Sequence, residues 1–223
     1  MIDSYNKLTL SKYNELKDID GNDAVEIQGQ MIAVLNDMEF DEVMGLKLTE
    51  YSKLAQGLSF LSAPPEASKK VPERIVLNGI RYSVLKDASK MTAGQYIDFQ
   101  TFLRMHSEGK AGVEHIIATV LIPEGGKYGD GYDTMTLAKE IADNMNVCDA
   151  LAISGFFFLR SQRLMANTAT SLWVATRRMR RKTKDKRTKE MLRTAEKDLS
   201  ALTLLLRSGV GSPWSTESAT WYT

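Results

Sequence analysis

The chain has 223 residues, 43% of them apolar, with 29 basic and 28 acidic side chains and a formal net charge of +1. That length suits one large or two small packed domains without staples, and the single cysteine, Cys148, excludes an intramolecular disulfide and points to a reducing compartment. The opening MIDSYNKLTL has no apolar signal core, and no run of ~20 apolar residues could span a bilayer, so the sequence predicts a soluble intracellular protein without a membrane partner.

Thr9 or Ser11 caps a short first helix that ends near Lys17, and residues 20–22 (DGN) read as a turn. Residues 25–35 place Val25, Ile27, Ile32 and Leu35 at helical spacing, with Gly29 as a propensity weak point. Residues 40–46 and 49–61 read as two more helices, the second capped by Thr49 and striped by Leu54, Leu58 and Leu61. The first 60 residues hold five basic and eleven acidic side chains, net −6. Pro64-Pro65 then breaks the helical pattern, and 62–72 reads as a linker. Asn78-Gly79 between the β-prone runs 74–77 and 80–85 is the preferred sequence for a type I′ hairpin turn, in which both central residues need positive φ. Such a hairpin is marginal alone and must pack on helices.

Thr92 caps the next helix, with Gln95 in the capping-box position and Tyr96, Phe99, Phe102 and Leu103 on its apolar face; Gly109 ends it. Residues 113–122 read as a short apolar helix stopped by Pro123, 125–133 as a tight glycine-rich loop, and Thr134 as the cap of a helix reaching 145. No proline interrupts 147–183, where apolar residues recur at helical spacing, which predicts one long helix. A second, about 188–206, carries Leu192, Ala195, Leu199, Leu202 and Leu206 in register. The expected fold class is mainly α: a multi-helix bundle with one small β-hairpin, a long C-terminal helical hairpin and an extended C-terminal arm. Its expected regions are an acidic helical segment 1–62, a linker and hairpin 63–90, a helical core 91–207 and the arm 208–223.

Catalytic signals are sparse. His106 and His115 have no acidic partner at ligand spacing and read as a helix-end and a helix-face residue. Cys148 opens an apolar helix without a histidine partner, the pattern of a buried, inert thiol. Gly125-Gly126-Lys127 lacks the spacing and the preceding strand of a phosphate loop, and Asp130 and Asp133 do not fit a calcium loop. With no GxSxG, HExxH or CxxC motif, the sequence predicts no enzyme and no cofactor or metal.

The outstanding feature is residues 177–189, RRMRRKTKDKRTK. Arg177, Arg178, Arg180, Arg181, Lys182, Lys184, Lys186, Arg187 and Lys189 are opposed only by Asp185, a local net charge of +8, so the rest of the chain sums to −7. Charges this close repel one another and gain from an anionic partner, either nucleic acid or an acidic protein face, including that of another copy; a solvated helical face is the plainer alternative. The nearest aromatic, Trp173, lies a turn upstream on the apolar side, which argues against base readout and leaves backbone contact. Phe156-Phe157-Phe158 points three rings in three directions, fitting either a helix at the centre of the fold or an interface.

The order LTLSKYNELKDI, an acidic helix pair, LTEYSKLAQGLSFL, the Asn-Gly hairpin with RYSVLKD, MTAGQYIDF, IPEGGKYGDGYD and FFFL resembles a family of tailed-phage tail assembly chaperones found in phages of gut Bacteroidetes among others. The resemblance covers about residues 8–164; the single motifs are loose, and their order and spacing are more specific. It implies a small, non-enzymatic assembly factor or virion part. The C-terminal third departs from it: the basic helices and a tail bearing Trp214, Trp221 and Tyr222 exceed what a transient chaperone needs. Extended aromatic tails lock neighbouring ring subunits in head-to-tail connectors, and crAss-like phages carry several such ring proteins. The expectation is therefore a virion protein made in the host cytoplasm, a ring subunit of the portal–tail connector. It would form a cyclic homo-oligomer beside the portal and other tail ring proteins, its arm residues Trp214, Trp221 and Tyr222 seated on a neighbour. The alternatives are a tail assembly chaperone and a virion or cargo protein that binds nucleic-acid backbone.

Overall fold

The computed structural model describes residues 2–21, 23–131 and 133–208; the arm residues Trp214, Trp221 and Tyr222, and Asn22 of the expected turn, lie outside them. Among the described residues the protein is mainly α, 65% helical, with nine helices and one three-stranded antiparallel sheet. They fall into two compact units, 2–154 and 155–208, and the division lies inside the long helix, after Ser154. The first unit thus holds the acidic segment, the linker, the hairpin and the first part of the expected helical core.

Helix α1 (Leu10–Lys17) starts where Thr9 Oγ1 accepts from the Lys12 N–H, so Thr9, not Ser11, is the cap. Helix α2 (Ala24–Asn36) is capped by Asp23, whose carboxylate accepts from the Glu26 N–H at 2.7 Å. It is followed by α3 (Phe40–Met44), α4 (Leu48–Gln56) and a 3-10 turn, Gly57–Ser62. Thr49, the expected cap of α4, lies inside its first turn; Lys47 holds the cap position and makes no side-chain cap bond. Gly29 is buried and serves packing: a Cβ there would stand 2.9 Å from the Phe40 ring and 3.3 Å from Met44 Sδ, so a side chain would push α3 off α2. Leu54, Leu58 and Leu61 face inward as expected. They join two adjoining clusters, one built on Ile32, Ala33 and Val43, the other on Leu8, Leu16, Leu35, Val147 and Leu151.

The second cluster closes because the chain's start meets the start of α8 (Val147–Lys182). The Leu10 N–H donates to Met145 O and the Val147 N–H to Leu8 O, each at 3.0 Å. The expected linker is held down: the Ser68 N–H donates to Cys148 O at 3.0 Å and Ser68 Oγ to Asp149 Oδ1 at 2.7 Å.

Strands β1 (Arg74–Leu77) and β2 (Ile80–Val84) pair antiparallel around Asn78 (φ +48°) and Gly79 (φ +78°), the left-handed pair a type I′ turn requires. Nothing lies within 4 Å of where a Gly79 Cβ would be, so the demand there is on backbone conformation alone. Gly79→Val is expected to cost about 1–3 kcal/mol, and an unchanged melting temperature would refute the assignment.

The sheet has a third strand that the periodicity concealed. The apolar run 113–122 splits into α6 (Val113–Ala118) and β3 (Leu121–Pro123), which pairs with β2. Thr119 marks the change: its Oγ1 turns back to Ile116 O, and its carbonyl accepts from Gln95 Nε2 at 2.7 Å. Pro123 is tolerated because β3 is an edge strand. Gln95 is 1% exposed and also completes the expected capping box with Thr92 at the start of α5 (Ala93–Ser107). Helix α7 (Thr134–Asn144) is capped by Asp133, one residue before the expected Thr134, through bonds from the Thr136 N–H and Oγ1.

Helices α8, 36 residues, and α9 (Lys186–Ser208), 23 residues, are the long C-terminal pair, joined by the three residues 183–185. Helix α9 starts two residues before the expected position, because Asp185 accepts from the Thr188 N–H at 2.7 Å and caps it. Hydrogen bonds from Thr188 also hold the Asp185 carboxyl below its usual range.

Candidate anion-facing surface

The two units carry opposite charge. Residues 155–208 hold fourteen basic and four acidic side chains, net +10; residues 1–154 hold fifteen basic and twenty-three acidic ones, net −8. The basic excess gathers at the end of α8, the connection and the start of α9.

Two members of the basic run have partners inside the chain. The Arg177 guanidinium lies over the Trp173 ring, 5.1 Å from its centroid, a cation–π contact that gives the upstream tryptophan a local role. Arg180 Nε donates to Glu196 Oε1 at 2.7 Å, joining α8 to α9, and its side chain is 30% and that of Glu196 13% exposed. Arg180 is therefore a structural cation. Arg178, Arg181, Lys182, Lys184, Lys186, Arg187 and Lys189 are exposed and form no salt bridge among the described residues. Asp185, the one acid of the run, is committed to capping α9.

Helix electrostatics separates the two halves of this surface. Arg181 and Lys182 sit at the C-terminus of α8, where cations offset the negative end of the helix dipole, so only their repulsion from the neighbouring cations is left for a partner to relieve. Lys186, Arg187 and Lys189 sit in the first turn of α9, at its positive end, where no acidic residue besides the cap balances them. Each is misplaced by about 0.3–1 kcal/mol at low salt. Cations opposed both by the dipole and by one another gain more from an anionic partner than from water.

Of the three adjacent rings, Phe157 is 2% exposed, and Phe156 and Phe158 are half-buried. Phe156 meets Phe157 edge to face at 5.1 Å. Phe157 is thus interior, while Leu159, next along, is exposed.

The other candidates serve the fold. His106 Nδ1 lies 2.9 Å from Ala111 O, and His115 Nδ1 lies 3.1 Å from Glu114 Oε1 with the Phe102 ring at 5.4 Å. Glu114 Oε2 is buried without a partner among the described residues. The Cys148 thiol is buried and pushed above its ordinary value by burial, then by Asp149 and Glu66, which disfavours the reactive thiolate. In the glycine-rich loop, Asp130 Oδ2 accepts from the Lys127 N–H and Asp133 caps α7, so both carboxylates have local work. No group of three or more metal-ligating side chains occurs among the described residues, and no helix there is long and apolar enough to cross a membrane.

Sequence reasoning missed Glu196. Its signal is an acid at a position shared with the half-buried Leu192, Ala195 and Leu199 of α9, where an apolar residue would be expected. It also reduced the acidic N-terminal segment to a net charge, whereas folding gathers Glu15, Asp37, Glu39 and Glu42 around one groove. Searches against protein-family models, curated proteins and solved structures each returned no match, so the residues above carry the functional reading.

Proposed function

We propose that this chain is a non-catalytic structural subunit of a tailed-phage particle, a ring subunit of the portal–tail connector. The phage assignment rests on the ordered motifs of residues 8–164 and their resemblance to tail assembly chaperones. The observation that carries the assembly role is the set of exposed, unpaired cations at the α8–α9 connection, set on a chain whose other unit is net −8. A subunit with unlike charged surfaces joins copies head to tail, and a head-to-tail contact closes into a ring when its rotation allows.

Quantitative mass spectrometry of purified particles tests the reading. The expected result is the protein at a fixed ratio to the portal subunit. Its presence in infected cells but absence from particles would replace the ring subunit with a transient factor. The exposed Leu172, Met179, Met191 and Leu204 of α8 and α9 favour that second reading, a chaperone that holds apolar client segments.

A further inference from the structure

A groove of about 710 Å³ opens on the first unit where α1, α2 and α3 meet. Glu15, Asp37, Glu39 and Glu42 line it, together with the half-buried Met38 and Phe40. Lys12 pairs with Asp37 at 2.7 Å, which leaves three of the four carboxylates unbalanced by it. Glu39 and Glu42 form the capping box of α3, with Glu42 Oε2 accepting from the Glu39 N–H, and Glu15 accepts from Ser11 Oγ. Each of these carboxylates is exposed and keeps lone pairs for a cation.

The chain also carries the complement. Met179 is 54% exposed on α8, with the exposed Lys182 one turn on along the same face and the exposed Arg178 and Arg181 on other faces of the same helix end. A basic helix end with an exposed methionine complements a groove lined by four carboxylates together with Met38 and Phe40. Met38 and Phe40 offer the soft sulfur and ring contacts that methionine favours. Nucleic acid satisfies the cations but leaves Met179 without a partner and the acidic groove unexplained.

We infer that the acidic groove between α1, α2 and α3 receives the basic, Met179-bearing end of α8 from a second copy of this chain. The contact is heterologous: every copy offers one groove and one basic end, so association propagates in one direction. The inference deepens the proposed function and rests on it for biological meaning, yet it concerns the purified chain in solution and stands or falls there.

The test uses two full-length variants, each damaged on one side only. Glu15→Lys/Glu39→Gln/Glu42→Gln removes the groove's charge while keeping amide oxygens that can cap α3. Arg178→Glu/Arg181→Glu/Lys184→Glu reverses the basic end and spares Arg180. Circular dichroism checks folding, and Glu15→Lys alone, which touches no cap of α3, is the second groove variant. Analytical ultracentrifugation is expected to show concentration-dependent self-association of the wild type, weakened roughly tenfold between about 0.05 and 0.5 M salt. Each variant alone is expected to remain monomeric. Their equimolar mixture should form a 1:1 complex and nothing larger, because one intact groove meets one intact basic end.

A monomeric wild type, or a groove variant that associates as the wild type does, overturns the inference. So does a basic-end variant that loses only its binding to duplex DNA. None of these results bears on whether the protein is found in particles, so this failure and that of the ring reading remain separate.

Discussion

Phe157→Ala is expected to cost about 3–5 kcal/mol. Phe157 is among the largest fully buried side chains, 2% exposed, and its ring stands edge to face with Phe156 at 5.1 Å. Truncation removes the transfer free energy of the ring and its packing contacts, and adds the cost of whatever space the surroundings do not close. Phe156 and Phe158 are half-buried, so the same change there is expected to cost clearly less. Urea denaturation of the three variants reads the difference as a shift in midpoint. Equal costs at all three positions would refute the placement of Phe157 as the interior ring and return the FFF motif to an interface reading.

Arg180→Glu is expected to destabilise the C-terminal helix pair by about 2–4 kcal/mol, whereas the same reversal at Arg178 or Arg181 should fall within about 0.5 kcal/mol. The distinction is the partner. Arg180 Nε donates to a Glu196 carboxylate that is 13% exposed, so reversal leaves a shielded acid facing another acid. Arg178 and Arg181 stand in solvent with no such neighbour among the described residues. The double variant Arg180→Glu/Glu196→Arg is expected to recover much of the loss, since the pair is restored with its polarity exchanged. Thermal melts followed by circular dichroism decide the matter. A single variant as stable as the wild type, or a double variant no better than the sum of its parts, would show that the bridge contributes nothing. The same comparison explains why an assembly test on the basic surface must spare Arg180: its loss would weaken the scaffold along with the surface.

Local chemistry made much of the fold legible in the chain. The Asn78-Gly79 turn and the Thr92–Gln95 capping box depend on neighbours within a few positions and stand in the structure as read, while of the two caps open for α1, Thr9 and Ser11, it is Thr9 that serves. The long helices follow for the same reason, as uninterrupted helical periodicity over many turns has few competing outcomes. The caps that were misplaced, Asp133 for Thr134 and Lys47 for Thr49, moved by one or two residues, within the ordinary uncertainty of a helix end.

What tertiary structure alone decided involves partners far apart in sequence. Residues 121–123 form a strand because β2 offers an open edge and Gln95 holds the Thr119 carbonyl; as a sequence, 113–122 is simply apolar. Gly29 looks like a flaw in a helix until Phe40 and Met44 pack over it. The basic run shows in any count of charges, but the division between Arg180, tied to Glu196, and the exposed cations around it appears only when α9 is laid beside α8. Likewise, a net charge of −6 over sixty residues becomes a groove lined by four carboxylates only because α1, α2 and α3 converge. Composition and period determine which elements form and how charge is distributed along the chain. Which charges are neutralised, and which are left facing outward for another molecule, depends on side chains that only folding brings within a few ångströms.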